Sequence, residues 1–125
     1  GLGGDRLVLA GFSQGALMAL HVGLRRRPAP AAIVGWSGWL AGRETLSTEL
    51  EGRPPTLLVH GTDDPVVPFS SLAIGAASLR AAGVPVETLV RPGLGHGIDQ
   101  AALDRALDFS VASLAREGVT GPSPR

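Results

Sequence analysis

Leu7-Val8-Leu9-Ala10-Gly11-Phe12-Ser13-Gln14-Gly15 is the stretch on which the fold turns. Leu7 to Ala10 are apolar at every position and lie between a glycine-rich start, Gly1-Leu2-Gly3-Gly4, and Gly11. A short run of this kind suits a strand buried on both faces better than one with a wet side. A helical stretch follows to about Arg26, where Arg25-Arg26-Arg27 sits before Pro28 as a solvated, dipole-complementing helix end. Between strand and helix lies the pattern Gly-x-Ser-x-Gly, which places Ser13 on a sharp turn with its hydroxyl held out at the end of the strand. With 18 glycines in the chain, such a pattern arises by chance in roughly one chain in six. The strand before it and the helix after it reduce those odds.

Working outward, Ala31 to Gly35 reads as a second strand. Trp36 to Pro55 has no clean period and reads as a long functional loop with at most one helical turn around Glu44 to Leu50. Thr56-Leu57-Leu58-Val59-His60 is a third apolar strand, Ser70 to Ala82 a helix stopped by Gly83, and Pro85 to Val90 a fourth strand. Ile98 to Arg116 forms the last helix, with Leu103, Ala106, Leu107, Val111 and Leu114 on its apolar face and Asp99 in the first turn. The expected organisation is a domain over residues 1–117 and a disordered Gly/Pro/Ser-rich tail over 118–125. Apolar strands alternating with helices imply an α/β fold, a parallel sheet of about four strands flanked by helices. Sites on such sheets lie beyond the carboxyl ends of the strands, where Ser13, Asp64 and His96 all fall.

Composition closes off other classes. The content of 44% hydrophobic and 18% charged residues is that of a globular chain. No run reaches the ~18 apolar residues of a membrane span. Eleven basic residues, all Arg, balance eleven acidic ones, so no net field recruits nucleic acid or an anionic membrane. Cysteine is absent, which excludes disulfides, thiolate metal sites and a Cys nucleophile.

The residues that remain suit acyl transfer. A serine hydroxyl is too weak an acid to attack an ester unaided, so an imidazole must take its proton and return it to the leaving group. A carboxylate fixes the imidazole tautomer and stabilises the imidazolium. Ser13, Asp64 and His96 follow one another in the chain order Ser, Asp, His. Asp63 reads as a turn residue, whereas Asp64 precedes Pro65, which holds its backbone extended and its side chain in a defined direction. His96 lies in the loop before the last helix; His21 and His60 read as structural. The Gln14 backbone N–H, at the helix start, would donate to the oxyanion, and Gly11 and Gly15 would relieve crowding at the turn. Trp36, Trp39 and Leu40 follow the second strand and are expected to line an acyl pocket.

Arg6 to Gly15, Ser37-Gly38-Trp39-Leu40, His60-Gly61 with Asp64-Pro65 and Val67-Pro68, and Gly95-His96 resemble the phospholipase/carboxylesterase family of α/β-hydrolases, which includes acyl-protein thioesterases and bacterial carboxylesterases. The resemblance runs in order over almost the whole chain. It implies hydrolysis of carboxylic esters or thioesters through an acyl-serine intermediate, without a cofactor. It also implies that this sequence is the C-terminal half of such a domain. Family members place four more strands and two helices before the nucleophile turn, including the loop that gives the second oxyanion donor. The partner is then a small ester or thioester, with no nucleic acid and no membrane span. Self-association through the unpaired Leu7 to Ala10 edge, or a homodimer of the full-length protein, is expected, as is a cytoplasmic location. The competing readings are a peptidase, a dienelactone-hydrolase relative, which would use Cys rather than Ser13, and a truncated module without catalysis.

Overall fold

The computed structural model describes residues 7–120, with side chains through residue 116. Four strands, β1 (Val8–Phe12), β2 (Ala32–Trp36), β3 (Thr56–Gly61) and β4 (Val86–Arg91), form one sheet in the order β1-β2-β3-β4. All three pairings are parallel, with Ala10 opposite Val34, Val34 opposite Leu57 and Leu57 opposite Glu87. β3 is buried at all six positions, as a strand with neighbours on both edges and helices on both faces must be. β1 has a strand partner on one edge only among the described residues, and Leu7 beside it is exposed.

Period-two alternation sorts the side chains into two layers. Ile33 and Leu58 face α1 (Gln14–Arg25) and α3 (Ser70–Ala81), where Leu20, Leu24, Leu72, Ala76 and Leu79 complete a buried cluster. Val34, Leu57 and Val59 face α4 (Gln100–Thr120), against Ala102 and Ala106 with Trp36 and Phe109 alongside. The expected inner face of α4 is therefore corrected. Ala106 is buried, but Leu103, Leu107, Val111 and Leu114 are 38–66% exposed, because two alanines give this helix its close seat on the sheet. The helix also runs on through Gly118 to Thr120, past the expected domain boundary; residues 121–125 of the expected tail lie outside the described residues.

The long β2–β3 connection contains a 3-10 turn, Arg43–Thr45, leading into the single turn of α2 (Leu46–Glu49). Leu46 is buried in the α1/α3 layer. Arg25 is not a merely solvated helix end: only 13% of its side chain is exposed. It donates to Glu49 Oε1 at 2.6 Å and to Gly42 O at 3.0 Å, tying the connection to the end of α1.

Candidate active site

Serine at a helix N-cap ordinarily turns its hydroxyl back onto the first-turn N–H groups. Ser13 occupies that position for α1 and makes no such bond. Its backbone, at φ 57 and ψ −118, is in a region disfavoured for any residue but glycine. The position is enforced from both sides. The Ser13 N–H extends the sheet ladder to Trp36 O at 2.8 Å, and its carbonyl accepts from Ala16 and Leu17 at 3.0 and 3.2 Å. The hydroxyl is thereby released for another partner. Gly11 makes the turn feasible, since a Cβ there would fall 2.1 Å from Gly15 O. Gly15 does not share that role, because a Cβ on it meets nothing within 4 Å.

The partner is His96. The Ser13 hydroxyl lies 2.8 Å from His96 Nε2, and His96 Nδ1 lies 2.8 Å from Asp64 Oδ2. A carboxylate can only accept, so Nδ1 carries the hydrogen and Nε2 accepts from Ser13. The rings of Phe12 and His96, with centroids 4.8 Å apart, pack at a tilt. Asp64 is held just as firmly, its Oδ1 accepting from the Val66 and Val67 N–H groups at 2.8 and 2.9 Å. Burial works to raise the Asp64 carboxyl, but its bonds to His96, Val67 and Val66 outweigh this and hold it below the usual aspartate range. Asp63 stands apart, exposed and accepting from the Thr62 hydroxyl at 3.0 Å.

Close approach of two loops brings His96 to Asp64. The Asp63 N–H donates to Leu94 O at 3.0 Å and the Gly93 N–H to Thr62 Oγ1 at 2.9 Å. A Cβ on Gly61 would lie 2.1 Å from Leu94 O, so glycine is required where β3 meets the histidine loop. Behind that loop, Ser37 is buried and donates to Gly97 O at 3.4 Å. Asp99 then caps α4, accepting from the Ala102 N–H at 2.9 Å and from Arg91 Nε at 2.9 Å.

A pocket of about 580 Å³ opens beside Ser13. Trp39 and Leu40 line it, together with Gln14, whose N–H, in the first turn of α1, has no intrahelical acceptor. Trp36 is not among its walls and is corrected: it shares a strand face with Val34, packs in the α4 layer and donates from its indole to Ala102 O at 3.3 Å. Sequence reasoning missed the opposite wall, Val66, Val67, Pro68 and Ile74. It also missed Arg43, the single charged residue among the described residues lining the pocket. Among the described residues no group of three or more His, Asp or Glu could hold a metal ion, and no helix is long and apolar enough to cross a membrane.

The family profile described as Phospholipase/Carboxylesterase matches residues 1–113. The chain belongs to this family. It is 34% identical over 110 residues to acyl-protein thioesterase 1 of Gibberella zeae, covering 84% of this chain and 47% of that protein. To the esterase YpfH of Escherichia coli it is 34% identical over 130 residues, covering 99% of this chain and 54% of that protein. Among solved structures, esterase PE8 matches with a TM-score of 0.87 at 39% identity, over 90% of this chain and 53% of that one. The chain thus spans about half the length of the curated relatives it matches, and its fold is that of α/β-hydrolase esterases.

Proposed function

We propose that this chain carries the nucleophile, base and acid of a hydrolase for carboxylic esters or thioesters. The observation that carries the reading is the unbroken line from the Ser13 hydroxyl through His96 to Asp64, with both contacts at 2.8 Å. In this reading Ser13 Oγ attacks the acyl carbon as its proton passes to His96 Nε2. The resulting imidazolium is stabilised by Asp64 and gives that proton to the departing alkoxide or thiolate. Water then attacks the acyl-serine with His96 as base, releasing the carboxylic acid and regenerating Ser13. The Gln14 N–H supplies one oxyanion donor. The acyl group occupies the pocket between Trp39 and Ile74. Relatives called thioesterase and esterase support both leaving-group classes.

A fluorophosphonate probe and p-nitrophenyl acetate, applied to the intact protein, test the proposal. Labelling at Ser13 and hydrolysis, both lost in Ser13→Ala, are expected. A folded protein inert to both reagents would overturn it.

A further inference from the structure

β3 buries an imidazole among aliphatic neighbours. His60 is 2% exposed, and a buried polar ring is costly unless its nitrogens find partners. Its Nε2 lies 2.9 Å from Val67 O and 3.3 Å from Asp64 Oδ2. Both neighbours are acceptors, so Nε2 must carry the hydrogen: it donates to Val67 O and shares that hydrogen with the carboxylate. The Phe69 ring stands edge-on to His60 at 6.1 Å and holds its plane.

These contacts close a ring around the acid. His60 fixes the Val67 carbonyl, the Val67 N–H fixes Asp64 Oδ1, and Asp64 Oδ2 meets His60 Nε2 on one side and His96 Nδ1 on the other. The carboxylate can then turn about its own bond only by breaking contacts with both histidines and two backbone N–H groups. We propose that His60 is a positioning residue for catalysis, a second imidazole that holds Asp64 in the orientation His96 needs. The inference rests on the hydrolase reading above, with Asp64 as the acid.

Gln and Asn separate this role from mere space-filling. A glutamine amide reaches about as far as Nε2, and an asparagine amide only as far as Nδ1. The intact protein and its His60→Gln, His60→Asn, Asp64→Asn and Asp64→Asn/His60→Asn variants are assayed for kcat and KM on p-nitrophenyl butyrate, with melting temperature as the control for folding. His60→Asn is expected to lower kcat about 10–100-fold, the usual scale for a partner that orients a functional side chain. KM should barely change, and His60→Gln should retain most of the rate. In the Asp64→Asn background the His60→Asn change should add little, since residues acting through one another are not additive. Equal kcat in the folded Gln and Asn variants, or full additivity with Asp64→Asn, overturns the positioning role alone. An inactive parent protein, or Asp64→Asn as fast as the parent, overturns the hydrolase reading and this inference with it.

Discussion

On the two sides of Ser13 the same sheet edge is built in opposite ways. Toward β4, Asp64 uses both carboxylate oxygens, His96 both ring nitrogens, and the backbone of the histidine loop is bonded to that of the acid loop. Toward α2 and α3 the pocket wall offers exposed carbon: Trp39 is 38%, Ile74 47% and Val66 65% accessible. The wired side has one arrangement and fails when a link is removed. The carbon side can change shape at the cost of a few contacts. Reactivity is therefore expected to depend steeply on the first side and selectivity gradually on the second.

The steepest dependence concerns the wired groups themselves. In the intact protein Ser13→Ala and His96→Ala should each lower kcat by several orders of magnitude, and Asp64→Asn by about 10⁴, through the wrong His96 tautomer. Asp63→Asn should be nearly silent. Steady-state kinetics on a p-nitrophenyl ester decides, and Asp63→Asn proving as damaging as Asp64→Asn would move the acid to the neighbouring residue.

Next in size is a change that leaves every polar group in place. Gly61→Ala puts a Cβ where Leu94 O lies 2.1 Å away, so the histidine loop must move. A shift of about 1 Å at a reacting group can cost on the order of 10²-fold. The expected loss of kcat is of that size, with fluorophosphonate labelling of Ser13 slowed in step. An undiminished rate in a folded Gly61→Ala protein would mean that the loop contact does not set His96.

The carbon side should respond in selectivity. Trp39→Ala and Leu40→Ala are expected to change kcat/KM for octanoate relative to acetate esters by about 10–100-fold, the scale of a few methylene contacts in an apolar pocket. Trp36→Ala should leave the chain-length profile alone and lower the melting temperature, since Trp36 packs against α4. A profile altered by Trp36→Ala but not by Trp39→Ala would reverse the wall assignment.

The same contrast explains what was legible in the sequence. Strands buried on both faces announce themselves as unbroken apolar runs, and Ser13, Asp64 and His96 sit at fixed offsets from strand ends, so the wired side could be read. For α4 the spacing groups Ala106 with the large Leu103, Leu107, Val111 and Leu114 on one face, whereas Ala106 is buried with Ala102 and the four large side chains are exposed. Amphipathicity does not say that the close seat goes to the small pair. Trp36 was within reach, because its parity with Val34 on β2 places it on the α4 face. Val66, Ile74 and Arg43 were not, since three separate elements bring them to the pocket and no local spacing relates them.

The smallest effect separates the two sides by pH, because the carbon wall contains no carboxylate. Asp64 and Asp99 both lie below the usual aspartate range: Asp64 because its bonds to His96, Val67 and Val66 outweigh burial, Asp99 chiefly through the Ala102 N–H and then Arg91, against burial. A group whose folded pKa is depressed adds stability that is complete above its unfolded value, about 3.9 for aspartate, and is lost as pH falls through the folded value. Melting temperature should therefore decline on acidification below about pH 4, partly because of these two residues. Asparagine is as good an N-cap as aspartate, and the partly exposed Arg91 contact is worth little. Asp99→Asn should then melt close to the parent at pH 7 and decline less steeply in acid. Asp64→Asn should also flatten the acid decline but melt lower at pH 7, because a neutral amide leaves the N–H groups of Val66, Val67 and His96, the Val67 one buried, competing for one acceptor oxygen. Parallel acid declines in the parent and Asp99→Asn would show that the cap carries no titrating stability, and would leave the acid limb to Asp64 and to Glu49, whose bonds from Arg25 and Thr45 also hold it below its ordinary range.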